Sequence, residues 1–260
     1  MQIGAMNHPA ANLADEIRWM SELGLDFLDL TLEPPAAHAD HFNAATVRQS
    51  LDEANMGVVG HTAFYLPIAN PFESIRCAAL SEIRRCIEVF AAIGVKWVNL
   101  HPDRHTPMHP RSYFVQRNIQ SLEELLPFAA SCGVGLMIEN VPGDFNTPEQ
   151  LAELFDPLPE IGLHLDIGHA NLLVPHDMTR PILNRYGSRL KHVHLHDNKG
   201  GGADLHLPLG CGNVDVQSAM AALKKLQYDG TITLEVFSPD RGLLRYSRDL
   251  LRRMWDQSSA

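Results

Sequence analysis

The segment HVHLHDNKGGGADLHLPLGCG, His192 to Gly212, carries four of the chain's fourteen histidines together with Asp197 and Asp204. Imidazole and carboxylate donors at short spacing suit zinc, manganese, iron or cobalt, whereas an all-oxygen set would point to magnesium or calcium. Residues of the same kind recur wherever an apolar run ends: Glu33, His61, His101, Glu139, Asp166, His194 with His196, and Glu235. In LDIGHANL, His169 follows Asp166 by three residues. In GGADLHLPLG, alternation along an extended segment aims Asp204 and His206 the same way. Any one of these residues reads as a hydrogen-bonded rim group. A set at the ends of seven runs reads as a metal site, provided the fold brings those ends together.

The runs that end in these residues are short and rich in β-formers. They predict strands at Gln2–Met6, Phe27–Leu32, Gly57–Thr62, Trp97–His101, Gly135–Glu139, Gly162–Asp166, His192–His196 and Thr231–Val236. Between them lie amphipathic stretches such as ANLADEIRWMSELG and SIRCAALSEIRRCIEVFAAIG, and helices are expected to end at Gly24, Gly94 and Gly133. Eight strands alternating with eight helices predict an α/β fold, a (β/α)8 TIM barrel forming one domain over residues 1–260. A dinucleotide fold would want GxGxxG after the first strand, and MNHPAANL stands there instead. In a barrel the chemistry gathers at the carboxyl ends of the strands, where these residues fall. Strand interiors read as nearly free of ionisable groups, and His192 reads as barrel filling one layer below His194.

Composition narrows the function classes. Acidic residues exceed basic ones by 31 to 21, a net charge of −10. The basic pairs Arg84-Arg85, Lys224-Lys225 and Arg252-Arg253 sit in helix-like segments. This balance argues against a nucleic-acid partner, although a bound metal cluster would add local positive charge. No basic-then-apolar leader opens the chain and no run approaches the roughly 18 apolar residues that span a bilayer, so a cytoplasmic protein without a membrane partner is expected. Cys77, Cys86, Cys132 and Cys211 form no CxxC pair and read as idle thiols.

The motifs GHTAFYLPIANP, NLHPD, MIENVPG, LDIGHANL, HLHDN with DLHLPLGCGN, and TLEVF, taken in this order, resemble the xylose isomerase-like barrels over essentially the whole chain. That superfamily includes sugar phosphate isomerases and epimerases and the endonuclease IV, or AP endonuclease family 2, proteins. The resemblance implies a shared metal centre at Glu139, Asp166, His194 and Glu235. Endonuclease IV-like members add five ligands to build a three-zinc cluster, and the matching positions are His61, His101, His169, Asp204 and His206. The cofactor expected is therefore a divalent metal, zinc or manganese, at one to three ions per chain.

The two branches use these residues differently. In an isomerase or epimerase, Glu139 and Glu235 would approach the substrate carbon from opposite sides and move a proton beside one polarising ion. In a phosphodiesterase, several metals would bridge a phosphate and activate water. The short VPGDFNTPEQL after Glu139 and the acidic balance favour a small sugar-like substrate. Glu33, Tyr65, His196 and Lys199 are its expected contacts. Some epimerases carry an Arg beyond the seventh-strand His, and here the stretch reads HDNKGGG, leaving Lys199 as the nearest cation without Arg's planar fork. A phosphoesterase acting at abasic DNA is the alternative, and a non-catalytic metal-holding barrel is the third reading. Family members often pair, which makes a homodimer a candidate assembly.

Overall fold

Every second residue of a strand faces the same side of its sheet, and here those residues divide by chemistry. In a computed structural model describing residues 1–258, eight parallel strands close a barrel in chain order. They are β1 (Gln2–Met6), β2 (Phe27–Leu32), β3 (Gly57–Thr62), β4 (Trp97–Leu100), β5 (Gly135–Glu139), β6 (Gly162–Asp166), β7 (Leu190–Leu195) and β8 (Thr231–Leu234). The helices are α1 (Leu13–Glu22), α2 (Ala44–Glu53), α3 (Glu73–Ala92), α4 (Arg111–Ser131), α5 (Pro148–Phe155), α6 (Thr179–Tyr186), α7 (Val216–Lys225) and α8 (Arg241–Gln257). Leu28, Leu30, Leu163, Leu165, Val193, Leu195, Ile232 and Leu234 belong to the buried apolar core that strands and helices share. The alternate residues turn inward, and β6, β7 and β8 are in register so that Asp166 pairs with His194 and His194 with Thr233.

The strands lie where the sequence places them, with adjustments at four ends in three strands. β4 stops at Leu100, so His101 begins a loop, and β8 stops at Leu234. The Glu235 amide nonetheless donates to the Leu195 carbonyl at 3.1 Å, so Glu235 stays tied to the strand end. β7 begins two residues early, at Leu190, and stops short of His196. The helices preceding β2, β4 and β5 end as expected in left-handed glycines, Gly24, Gly94 and Gly133.

One expectation fails. The strand interiors are not free of ionisable groups, for Asp29, His164 and His192 are fully or almost fully buried inside the barrel. Barrel interiors are usually filled with branched apolar side chains, and a buried polar group is costly unless it is hydrogen-bonded. His192 does fill the layer beneath His194, its Nδ1 2.6 Å from the Thr231 hydroxyl. Among the described residues, no helix is long and apolar enough to cross a membrane.

Candidate metal centre

Closing the barrel brings the strand-end donors into overlapping groups. The donor atoms of Glu139, Asp166 and His194 lie within 4.8 Å of one another, as do those of His61, His101 and Glu139. The same spacing joins Asp166, His169 and His196, and joins His196, His206 and Glu235. Individual pairs are closer: His101 Nε2 to Glu139 Oε2 3.0 Å, His194 Nδ1 to Glu235 Oε1 3.2 Å, His169 Nε2 to Asp204 Oδ2 3.1 Å and His206 Nε2 to Asp204 Oδ2 3.2 Å. Two donors each about 2.0–2.1 Å from one ion stand roughly 2.9–3.4 Å apart at octahedral to tetrahedral angles. The spacing is that of ligands sharing an ion.

Amide side chains hold these donors in place. Asn99 Nδ2, inside β4, donates to Glu139 Oε2 at 2.6 Å. Asn140, the residue after Glu139, accepts from the Asp166 amide and donates to its carbonyl, fastening the ends of β5 and β6 together. The Asn140 carbonyl lies 2.9 Å from His169 Nδ1, which leaves Nε2 of that ring facing Asp204. Gly168 gives way to His196: a Cβ there would lie 2.2 Å from His196 Nε2.

Asp204 and His206 arrive on the long loop after β7, and buried Asp197 anchors that loop. Its carboxylate accepts from the amides of Asn198, Gly210, Gly212 and Val214, at 2.8 to 3.1 Å. Its backbone makes a two-way bridge with Leu207, beside His206. His206 takes a left-handed φ of 45°, a conformation that non-glycine residues hold only when their surroundings impose it. The triple glycine, Gly200–Gly202, forms a hydrogen-bonded turn: the Gly200 amide donates to Asn198 Oδ1, and the Gly201 carbonyl accepts from the Leu173 amide.

The electrostatics suit a cation. Burial alone would push Glu139 up, but His101 and His164 outweigh it and hold the carboxyl well below its usual range. Asp166 is pushed up, by burial first and by Glu235 and Glu139, against the pull of His169 and His196. Glu235 stays at about 2, because His194 and then His206 overcome its burial. Asp166 Oδ2, His194 Nδ1 and His196 Nε2 are buried without a hydrogen-bond partner. Orphaned donors of these types beside four carboxylates fit a divalent metal.

Above the donors opens a cavity of about 980 Å³, lined by Glu33, His61, His101, Glu139, His169, Asp204, His206 and Glu235 among others. Phe64 and Phe237 line it too, Phe237 stacking on the His206 ring at 4.3 Å. Of the expected substrate contacts, Glu33 alone lies on the wall. Tyr65 is half exposed outside it, and Phe64 takes its place. His196 is fully buried among the donors, its Nε2 3.3 Å from Asp204 Oδ1. Lys199 is exposed and off the wall, and the cations that line the cavity are Arg104 and Arg241. Sequence reasoning missed both arginines, Arg104 in the loop after β4 and Arg241 at the first position of α8, neither within a motif. His105, His109 and His176 are not on the wall, and His105 is taken up by Asp144, 2.6 Å from its Nδ1.

Comparison with known proteins agrees with this architecture. The chain belongs to the xylose isomerase-like TIM barrel family, whose model matches residues 17–254. An uncharacterized protein of Methanocaldococcus jannaschii is 30% identical over 71% of this chain and 66% of its own length. The chain thus spans about two thirds of that relative. An L-ribulose 3-epimerase of Methylomonas sp. is 26% identical over 96% of this chain and 87% of its own. A probable endonuclease 4 of Thermotoga maritima is 24% identical over 58% of each. Among solved structures, a D-tagatose 3-epimerase-like protein superposes with a TM-score of 0.87 at 25% identity, covering 98% of this chain and 97% of that one.

Proposed function

We propose that this protein is a divalent-metal-dependent enzyme that epimerises or isomerises a small sugar, sugar phosphate or related polyol, with Glu139 and Glu235 moving the proton. The observation that carries the reading is that these glutamates reach one small-molecule-sized cavity from β5 and from the end of β8, on different sides of the barrel. Sugar 3-epimerases among the relatives support it. Glu139, Asp166, His194 and Glu235 would hold the ion, zinc or manganese by their donor types.

When bound, such an ion would polarise the substrate carbonyl and the adjacent hydroxyl, acidifying the C–H bond between them. One glutamate carboxylate takes that proton, and the electron pair of the C–H bond moves toward the carbonyl oxygen. The other glutamate, which must enter the step carrying a proton taken from solvent, returns it to the opposite face of the carbon, inverting it. Asn99 holds Glu139 Oε2 still during the exchange, and Phe64 and Phe237 put apolar surface on the cavity wall. We place this work in the cytoplasm, where four free thiols stay reduced.

A three-zinc phosphodiesterase is the second reading, favoured by His61, His101, His169, Asp204 and His206 converging beside the shared four. Against it, Arg104 and Arg241 are the cavity's sole Lys or Arg lining, and the chain after Glu139 turns straight back through the Val141–Phe145 bridge, leaving little to grip a duplex. Metal analysis of purified protein, paired with assays on free and phosphorylated ketoses and on an abasic-site duplex, separates the two. Ketose turnover with an intact duplex is expected. Three tightly held zincs with a cut duplex would overturn the epimerase reading.

A further inference from the structure

Asp29 is fully buried in β2, on the same inward face as Thr31, and no part of the reaction above uses it. Three groups converge on one of its oxygens, Oδ2: His194 Nε2 at 2.7 Å, the Thr233 hydroxyl at 2.8 Å and His192 Nε2 at 3.3 Å. The other oxygen has no partner. His192 Nε2 also lies 3.0 Å from Thr233 Oγ1, and its Nδ1 lies 2.6 Å from Thr231 Oγ1.

One assignment of protons satisfies the shorter of these contacts, the 3.3 Å approach of His192 Nε2 to Asp29 sharing a proton directed at Thr233. The Thr231 hydroxyl donates to His192 Nδ1, and His192 Nε2–H donates to Thr233 Oγ1. The Thr233 hydroxyl then donates to Asp29, as does His194 Nε2–H. With its proton fixed on Nε2, the neutral His194 ring must present a lone pair at Nδ1, the atom that lies 3.2 Å from Glu235 Oε1 without a hydrogen bond. A histidine whose far nitrogen donates to a carboxylate is locked in tautomer and ring orientation and is a more basic ligand.

We propose that Asp29, steadied by Thr233 and His192, is a positioning residue that fixes His194 as its Nε2–H tautomer and aims Nδ1 into the metal centre. The proposal rests on the metal-dependent reading of that centre. It explains why a carboxylate occupies an interior layer that a barrel ordinarily fills with apolar side chains.

The test uses the full chain, wild type and the variants Asp29→Asn and Asp29→Ala, each stripped of metal and verified folded by circular dichroism. Long-range nitrogen–proton NMR of the metal-free protein reads the His194 tautomer, and competition against a chromogenic chelator reads Mn²⁺ and Zn²⁺ affinity. The wild type should show protonated Nε2, and the variants should bind metal about 10–100-fold more weakly. If Asp29→Ala fails to fold, Asp29→Asn, equal in size and without the charge, decides alone. Unchanged affinity in a folded variant, or a wild-type His194 protonated on Nδ1 and not on Nε2, would overturn the role of Asp29 and leave the metal reading standing. A wild type that binds neither ion would overturn both.

Discussion

Glu139 meets more of the site's groups than any single donor, with Asn99, His101 and His169 near its oxygens. Glu235 answers it from the end of β8 beside His194 and His206. Glu139→Gln and Glu235→Gln should each lower kcat by about 10²–10⁴-fold while thermal melts of the metal-stripped variants stay within a few degrees of metal-stripped wild type. Turnover retained in either variant would remove that glutamate from the chemistry. Seven of the nine ligand-type residues were legible because each ends an apolar run or stands beside such an end, where a barrel puts chemistry, and Asp204 and His206 were legible through the alternation and motif of DLHLPLGCGN. The residues that orient them were not. Asn99, Asn140 and Asp197 act through contacts with distant segments, and Asp29 in FLDLTL looks like one polar residue of an ordinary half-buried strand. Lys199 misled because nearness in sequence to His194 does not set the direction of a side chain in a turning loop.

At the scale of elements, the loop after β7 depends on Asp197 as a knot of four amides. Asp197→Ala leaves four amides without their acceptor, that of Asn198 buried and the others part-buried, so roughly 1–3 kcal/mol of stability should be lost. Limited proteolysis should then cut between Lys199 and Leu205, and equal resistance in the variant would show that the loop holds by other means. Where α3 meets α4, Glu73 lies against Arg76 and Arg117. Their hydrogen bonds, Arg76's first, hold its carboxyl at about 2 against an ordinary 4.5. A depressed carboxyl stabilises the fold above its unfolded value and loses that contribution as pH falls from 4.5 toward 2. Glu73→Gln should therefore lower the urea midpoint at pH 6 and match wild type near pH 2, and a deficit that persists in acid would contradict the ion-pair account. Element order was readable because hydrophobic periodicity repeats eight times. Strand ends shifted by one or two residues where a hydrogen-bonded turn, invisible in composition, takes over from the ladder.

For the molecule as a whole, buried carboxylates and imidazoles around one cavity make stability and metal content a single quantity. An ion that binds only the folded chain adds about 4 kcal/mol at a thousand times its Kd, so chelation should lower Tm by roughly 8–16 °C, and Mn²⁺ or Zn²⁺ should restore it. A melt indifferent to chelator and ion alike would deny the centre. The closed barrel follows from the repeat of strand and helix, whereas the substrate does not, since the cavity wall includes loop side chains such as Phe64, Arg104 and Phe237, with Arg241 at the start of α8, that no periodicity announces. The central claim is that two glutamates exchange a carbon-bound proton of a ketose with solvent. The direct measurement is proton NMR of metal-loaded enzyme with a ketopentose or ketohexose in deuterium oxide. The account predicts an epimer carrying one solvent deuteron at the inverted carbon, with the deuteron absent in Glu139→Gln. A product formed without deuterium, or no reaction on any ketose while an abasic duplex is cleaved, would contradict it.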